Sequence, residues 1–273
     1  LSGYAGLSAS PDAVLNRDLE RLLHNGDPRW GVPPEATIRE TTPESFRRFW
    51  EPLLATGPIE VEVFGDMDAE ATVKAVAATF GALKPRVASK APLAPVEFPA
   101  HVATPVTLFH KGQPNQAAAV IAWPTGGGTE NGGITESRKL EVLAAGFRDR
   151  LLDQLRSQAG VSYSPQVASQ WPQGLPAGGK IMALGMVPPD KVDFFFELSR
   201  KIAADLVAKP IDADELNRAL TPLKQQILRM SSGNMFWMRL VEGGTYDPAR
   251  IAAVETLAAD YSRVTPQDVQ GLA

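Results

Sequence analysis

The sequence predicts an α+β fold: a mainly antiparallel sheet packed with helices. Three observations carry that prediction. Strand-like runs follow one another without crossover helices between them, which parallel pairing would require. Long stretches place apolar residues at helical spacing. Clusters of Gly and Pro separate these runs, as turns and linkers do.

The first hundred residues read as helices around one strand. Pro11 and Asp12 open a segment with Val14, Leu15, Leu19, Leu22 and Leu23 on one helical side. A loop rich in Gly and Pro follows, from Asn25 to Pro34. Thr42 is placed as an N-cap with Pro43 at the first helical position, and Phe46, Phe49 and Trp50 follow at helical spacing. Ile59 to Phe64 alternates apolar and charged residues, the pattern of a half-exposed strand. Gly65-Asp66-Met67-Asp68 turns the chain into a helix carrying Val73, Val76, Ala77 and Phe80. Residues 84–100 hold four prolines without helical period and read as a linker.

Beyond the linker, strands are expected at Val106–Phe109 and Ala117–Trp123, then a glycine-rich loop from Thr125 to Gly133. Leu140, Ala144, Phe147, Leu151 and Leu155 mark the buried face of a long helix, which Gly160 would end. Val161–Trp171 and Lys180–Val187 read as paired strands. Three helical stretches start near Asp190, Asp212 and Asp247. Asp212 with Glu215 forms a capping-box pattern, and Pro222 is expected to kink the second stretch or mark its start. Thr42-Pro43-Glu44-Ser45-Phe46 returns in style as Thr265-Pro266-Gln267-Asp268-Val269, 223 residues later, a spacing suited to a repeated domain. The division expected is residues 1–83 as the close of one α+β domain, 84–100 as linker and 101–273 as most of a second, homologous domain.

Composition narrows the function classes. With 273 residues, 44% hydrophobic and 21% charged, the chain has ample material for buried cores. A net charge of −4 and a pI near 5.5 provide no general attraction to nucleic acid or anionic membrane. No apolar run approaches the ~20 residues of a membrane span. The absence of Cys excludes disulfides and thiolate metal sites and suits any compartment; a bacterial periplasm is one reading. The chain begins at Leu1 without a signal-peptide pattern, which is compatible with a leader upstream.

Several residues invite a site. His24, His101 and His110 have no ligand partners at metal-binding spacing, and no His-x-x-Glu-His occurs, so no zinc site is expected; His24 is expected to face solvent. The loop from Thr125 to Gly133 lacks the Gly-Lys-Ser/Thr ending of a P-loop and reads as a flexible connection. Asp66 and Asp68 read as caps of the next helix, and Phe194-Phe195-Phe196 as core under a sheet. Arg156, in the last turn of a helix, meets the C-terminal dipole favourably by ~0.3–1 kcal/mol. Tyr163 shares strand parity with Val161, Val167 and Trp171, so on spacing alone core packing is the favoured account of it.

The order of the pieces resembles the pitrilysin/insulinase zinc metallopeptidases. The segment "TTPESFRRFWEPLLATGPIEVEVFGDMDAEATVKAVAATFGAL" is similar to the helix, strand ending in Gly-Asp-x-Asp, and helix that close one domain of that family. "QAAAVIAWPTGG" resembles the next domain's early strand, and "NMFWMRL" its later Asn-x-x-Trp helix. "FRDRLLDQLRSQAGVSYSPQV" resembles the Leu-Arg-x-x-x-Gly-x-x-Tyr-Ser element, with Leu155-Arg156, Gly160 and Tyr163-Ser164 in place; Ser157 departs from the usual acidic residue. The resemblance implies a mitochondrial-processing-peptidase-like metallohydrolase fold. It also implies the C-terminal, non-zinc half of a zinc endopeptidase, whose catalytic metal lies on a separate zinc-bearing half and whose substrate is a peptide or small protein. By the same resemblance Arg156 would hold a substrate carbonyl and Tyr163 would donate a hydrogen bond to the oxyanion. A non-catalytic scaffold or core subunit of the same fold is the alternative, and an unrelated α+β binding module the third reading.

Overall fold

The computed structural model describes residues 1–86, 94–100, 104–159 and 165–273. Its centre is a three-stranded antiparallel sheet of β1 (Ala117–Gly126), β2 (Gln166–Gln170) and β3 (Ala177–Val187), in the order β1-β3-β2. The register pairs Trp123 with Ile181, Ile121 with Ala183 and Ala119 with Gly185, while Val167 pairs with Ala183. Because side chains alternate along a strand, these residues share one face. That face meets the helices and carries the core.

Ten α-helices surround or follow the sheet among the described residues: α1 (Pro11–Leu23), α2 (Glu35–Glu40), α3 (Pro43–Thr56), α4 (Ala69–Ala78), α5 (Gly133–Ala159), α6 (Val192–Ala208), α7 (Ala213–Met230), α8 (Asn234–Val241), α9 (Pro248–Arg263) and α10 (Pro266–Leu272). The α+β class and the antiparallel pairing are as expected. The Ser10, Thr42, Asp68, Asp212, Asp247 and Thr265 side chains each accept a backbone N–H at the first turn of the helix that follows. Capping thus sets six helix starts from local sequence alone.

The core is assembled on α5. Leu140, Leu143, Phe147, Leu151 and Leu155 are buried, with Leu151 and Leu155 fully so. They pack among Ala183 and Val187 of the sheet, Phe195, Leu198 and Ile202 of α6, and Ala219 and Leu220 of α7. Of the Phe194–Phe196 run, Phe195 is completely enclosed and its neighbours flank the core. A Cβ at Gly185 would sit 2.5 Å from the Phe195 ring, so β3 needs glycine there. On the opposite face of β3, Lys180 is buried and reaches Glu20 of α1 at 2.9 Å. α1 therefore covers part of the sheet's second face.

Two expectations need correction. Ile59–Phe64 and Val106–Phe109 form no strand, because neither has a ladder partner among the described residues; an alternating sequence proposes a strand, and only a neighbour supplies the hydrogen bonds. β2 spans Gln166–Gln170, inside the range expected for that strand; residues 160–164, including the proposed helix-ending Gly160, lie outside the described residues. Pro222 sits inside α7, which runs from Ala213 through Met230, so it does not mark the helix start. Part of the linker reading, residues 87–93, also lies outside the described residues, while 94–99 carry no regular structure.

Candidate functional site

The C-terminal half of α5 positions Arg156. Leu151 and Leu155 lock that part of the helix into the core, and the Arg150 guanidinium grips the Glu215 carboxylate of α7 with two bonds, 2.7 and 2.9 Å long. The Arg150 contact holds the Glu215 carboxyl below its ordinary range, and the capping bond from the Asp212 N–H adds to this. Next to this anchored turn, Arg156 is exposed in the last turn of α5. Tyr163 lies outside the described residues, as do Gly160, Val161 and Ser164. The described chain thus defines one member of the Arg156/Tyr163 pair and the strand that follows the other.

His24 corrects the solvent-facing expectation. It is 2% exposed, stacked on Trp30 at 3.9 Å between ring centroids and close to Phe98. Its Nδ1 lies 2.7 Å from the Glu20 carbonyl oxygen, the geometry of a helix-end cap. His110 is used locally as well: its Nε2 is 2.9 Å from the Gln116 carbonyl and its Nδ1 accepts the Gly112 N–H at 3.0 Å. His101 lies outside the described residues. Among the described residues no three His, Cys, Asp or Glu side chains come together as a metal-binding group.

The glycine-rich loop is latched rather than a flexible connection. Trp171 Nε1 donates to the Gly128 carbonyl at 2.7 Å, the Gly128 N–H donates to Pro172 at 2.8 Å, and Thr129 donates to the Asp247 carboxylate. A Cβ at Gly127 would fall 2.5 Å from the Leu175 carbonyl. Glycine serves close packing here, and the backbone donors are turned to the protein itself. Asp68 caps α4, accepting the Ala71 N–H at 2.9 Å.

Two polar constructions escaped the sequence reading. Between α5 and α9, Arg138 and Asp260 form a buried ion pair; Arg138 also donates to the Ala253 carbonyl at 2.6 Å, and Thr135 donates to Asp260 at 3.0 Å. One turn on, Tyr261 donates to Glu141. Burial pushes the Glu141 carboxyl up, and burial plus the Glu141 charge pushes the Tyr261 phenol up. The second construction is a clasp on Glu60. Gly243 and Thr245 donate their N–H groups to its carboxylate at 2.8 and 2.9 Å, and the Thr245 hydroxyl donates at 2.5 Å. These bonds, led by the Thr245 hydroxyl, hold the Glu60 carboxyl below its ordinary range. Arg138 and Glu141 stand about one helical turn apart on α5, and nothing in the sequence ties them to a helix more than a hundred residues away.

Set against known proteins, the profile of the peptidase M16 inactive domain matches residues 40–223, from just before α3 into α7. This chain belongs to the peptidase M16 inactive-domain family. The M16 inactive domain from Pseudomonas fluorescens shares the fold with a TM-score of 0.72 at 18% identity, over 99% of this chain and 64% of that one. A protease from Helicobacter pylori gives 0.71 at 13% identity, over 96% and 63%. A chain of complex III2 from Candida albicans gives 0.66 at 17% identity, over 99% and 65%. The M16 chain thus spans under two thirds of the length of these solved relatives. No curated protein sequence matches it. None of its helices, among the described residues, is long and apolar enough to cross a membrane.

Proposed function

We propose that this M16 chain is the substrate-binding, non-zinc half of a pitrilysin/insulinase-type zinc endopeptidase. The observation that carries the reading is the M16 inactive-domain match across residues 40–223, which contains both Arg156 and Tyr163. Arg156, exposed beside an anchored helix turn, supports it. In this reading residues 1–83 close one domain, 84–100 link it, and 101–273 make most of the next. Zinc would be held by the other half and would supply an activated water for peptide hydrolysis there. Arg156 holds a peptide carbonyl through its fork of donors, and Tyr163 donates to the oxyanion as it develops.

The test uses this chain together with its zinc-bearing half. Tyr163→Phe removes one donor and little volume, so turnover should fall about 10²–10³-fold, as for other oxyanion donors. Arg156→Ala removes a contact already made in the ground state, so KM should rise as well as turnover fall. Normal turnover in Tyr163→Phe ends its assignment to catalysis, and one zinc per purified chain overturns the non-zinc reading. The second reading is a non-catalytic core subunit, supported by the likeness to a chain of complex III2. In that case neither substitution alters a peptidase activity.

A further inference from the structure

Residues 35–86, which hold α2, α3 and α4, bury none of their helical side chains. Among the described residues, every hydrogen bond that ties them to residues 104–273 ends on Glu60 or Glu62. The receiving loop, Gly243-Gly244-Thr245, lies between α8 and α9. Gly243 adopts φ +79°, and the alternate N–H groups of Gly243 and Thr245 face one carboxylate while the Gly244 N–H donates to the Val241 carbonyl at 2.8 Å. A Cβ at Gly244 would meet Ile251 at 2.5 Å and the Val241 carbonyl at 2.8 Å, and one at Gly243 would meet the Arg250 guanidinium at 2.9 Å. Only glycine lets the loop close to this shape.

We infer that Gly243–Thr245 is a carboxylate-binding nest whose resident ligand is Glu60, and that this clasp sets the position of the α3–α4 segment against α8 and α9. Three donors meet one carboxylate, two of them from backbone whose placement is independent of side-chain rotamers. Glu62 reaches the Gly243 N–H at a longer 3.3 Å and takes the weaker share. Other contacts gather at the same joint: Gly65 approaches Asn234, and Phe80, Leu83 and Tyr246 line a shallow groove beside Glu60. The inference does not depend on the peptidase reading.

The chain has no Cys, so a spin-label pair can be introduced at Lys74→Cys on α4 and Glu255→Cys on α9, both exposed. In the parent a narrow distance distribution is expected. In Glu60→Ala it should broaden, and the Gly243 and Thr245 amides should exchange with solvent about tenfold faster or more, the loss of a charge-assisted bond. Glu60→Gln keeps one acceptor oxygen; it should shift both readouts the same way by less, and it serves if the alanine variant fails to fold. Unchanged amide exchange, or faster exchange with a distance distribution identical to the parent's, overturns the inference.

Discussion

Helices α3 and α10 begin with the same chemistry. Each opens on Thr-Pro, and in each a reciprocal capping box joins the threonine to the residue three places on, Ser45 in α3 and Asp268 in α10. Their surroundings then diverge. α10 buries Val269 and seats Leu272 against the core, and its Asp268 pairs with Lys139 of α5 at 2.5 Å. α3 buries nothing, and leaves Phe46, Phe49, Trp50 and Leu54 exposed. Local sequence starts both helices, but α10 has neighbouring helices, α5 and α6, to complete it. An apolar face is thus a demand for a partner, and its energetic worth depends on whether the fold provides one.

The sharpest way to break this contrast is to remove one aromatic ring from each side. Phe195→Ala, in the core built on α5, should cost about 3–5 kcal/mol in denaturant unfolding. Phe49→Ala, 66% exposed on α3, should stay within about 0.5 kcal/mol. Equal costs would show that α3 is covered in solution.

Nearly as large is the expected effect on the buried ion pair. Arg138→Ala strands Asp260 with its charge enclosed, and about 3–5 kcal/mol should be lost. Arg39→Ala, whose partner Glu35 lies on the exposed α2, should be close to neutral by the same measurement.

A smaller effect of opposite sign is expected at Glu141. Burial raises its folded pKa above the unfolded value, so its contribution is fully present below the unfolded value and is lost as pH rises through the folded one. Glu141→Gln keeps an acceptor for Tyr261 and removes the charge. Its Tm should exceed the parent's at pH 7, and the difference should vanish in mild acid. A variant no more stable than the parent at pH 7 would show that the Glu141 charge is already well compensated.

The smallest effect belongs to Asp268, whose carboxyl is held down to about 2 by Lys139 and Thr265. A depressed pKa gives stability above the unfolded value that is lost as pH falls toward about 2. This partly exposed pair should contribute no more than about 1 kcal/mol. Lys139→Met should flatten that part of the acid limb of a pH–stability curve, leaving Thr265 to hold the carboxylate. An unchanged limb would assign the whole shift to the threonine.

Much of this could be read before any coordinates. Thr42, Asp212 and Thr265 announced their helices because a cap is a contact between residues three apart. The α5 stripe from Leu140 to Leu155 announced a buried face for the same reason, since helical periodicity is local. The resemblance to the pitrilysin/insulinase metallopeptidases also lay in short stretches, Gly-Asp-x-Asp and the run from Leu155 to Ser164, both within the residues that match the M16 inactive domain. The Arg156/Tyr163 assignment still rests on those residues.

What the tertiary structure decided were the properties that need two distant segments at once. His24 is buried because Trp30 stacks on it and Phe98, from a distant segment, closes over it, and no short window around residue 24 contains Phe98. Ile59–Phe64 alternates like a strand yet pairs with no strand among the described residues, because a ladder needs a second chain segment in register. Glu60 is an ordinary carboxylate until a glycine turn over 180 residues away presents its N–H groups. Residues within a few positions of each other set helix starts and amphipathic faces, since the chain itself holds them close. Burial, strand pairing and charge environment follow from which far parts of the chain meet, and only the folded whole determines that.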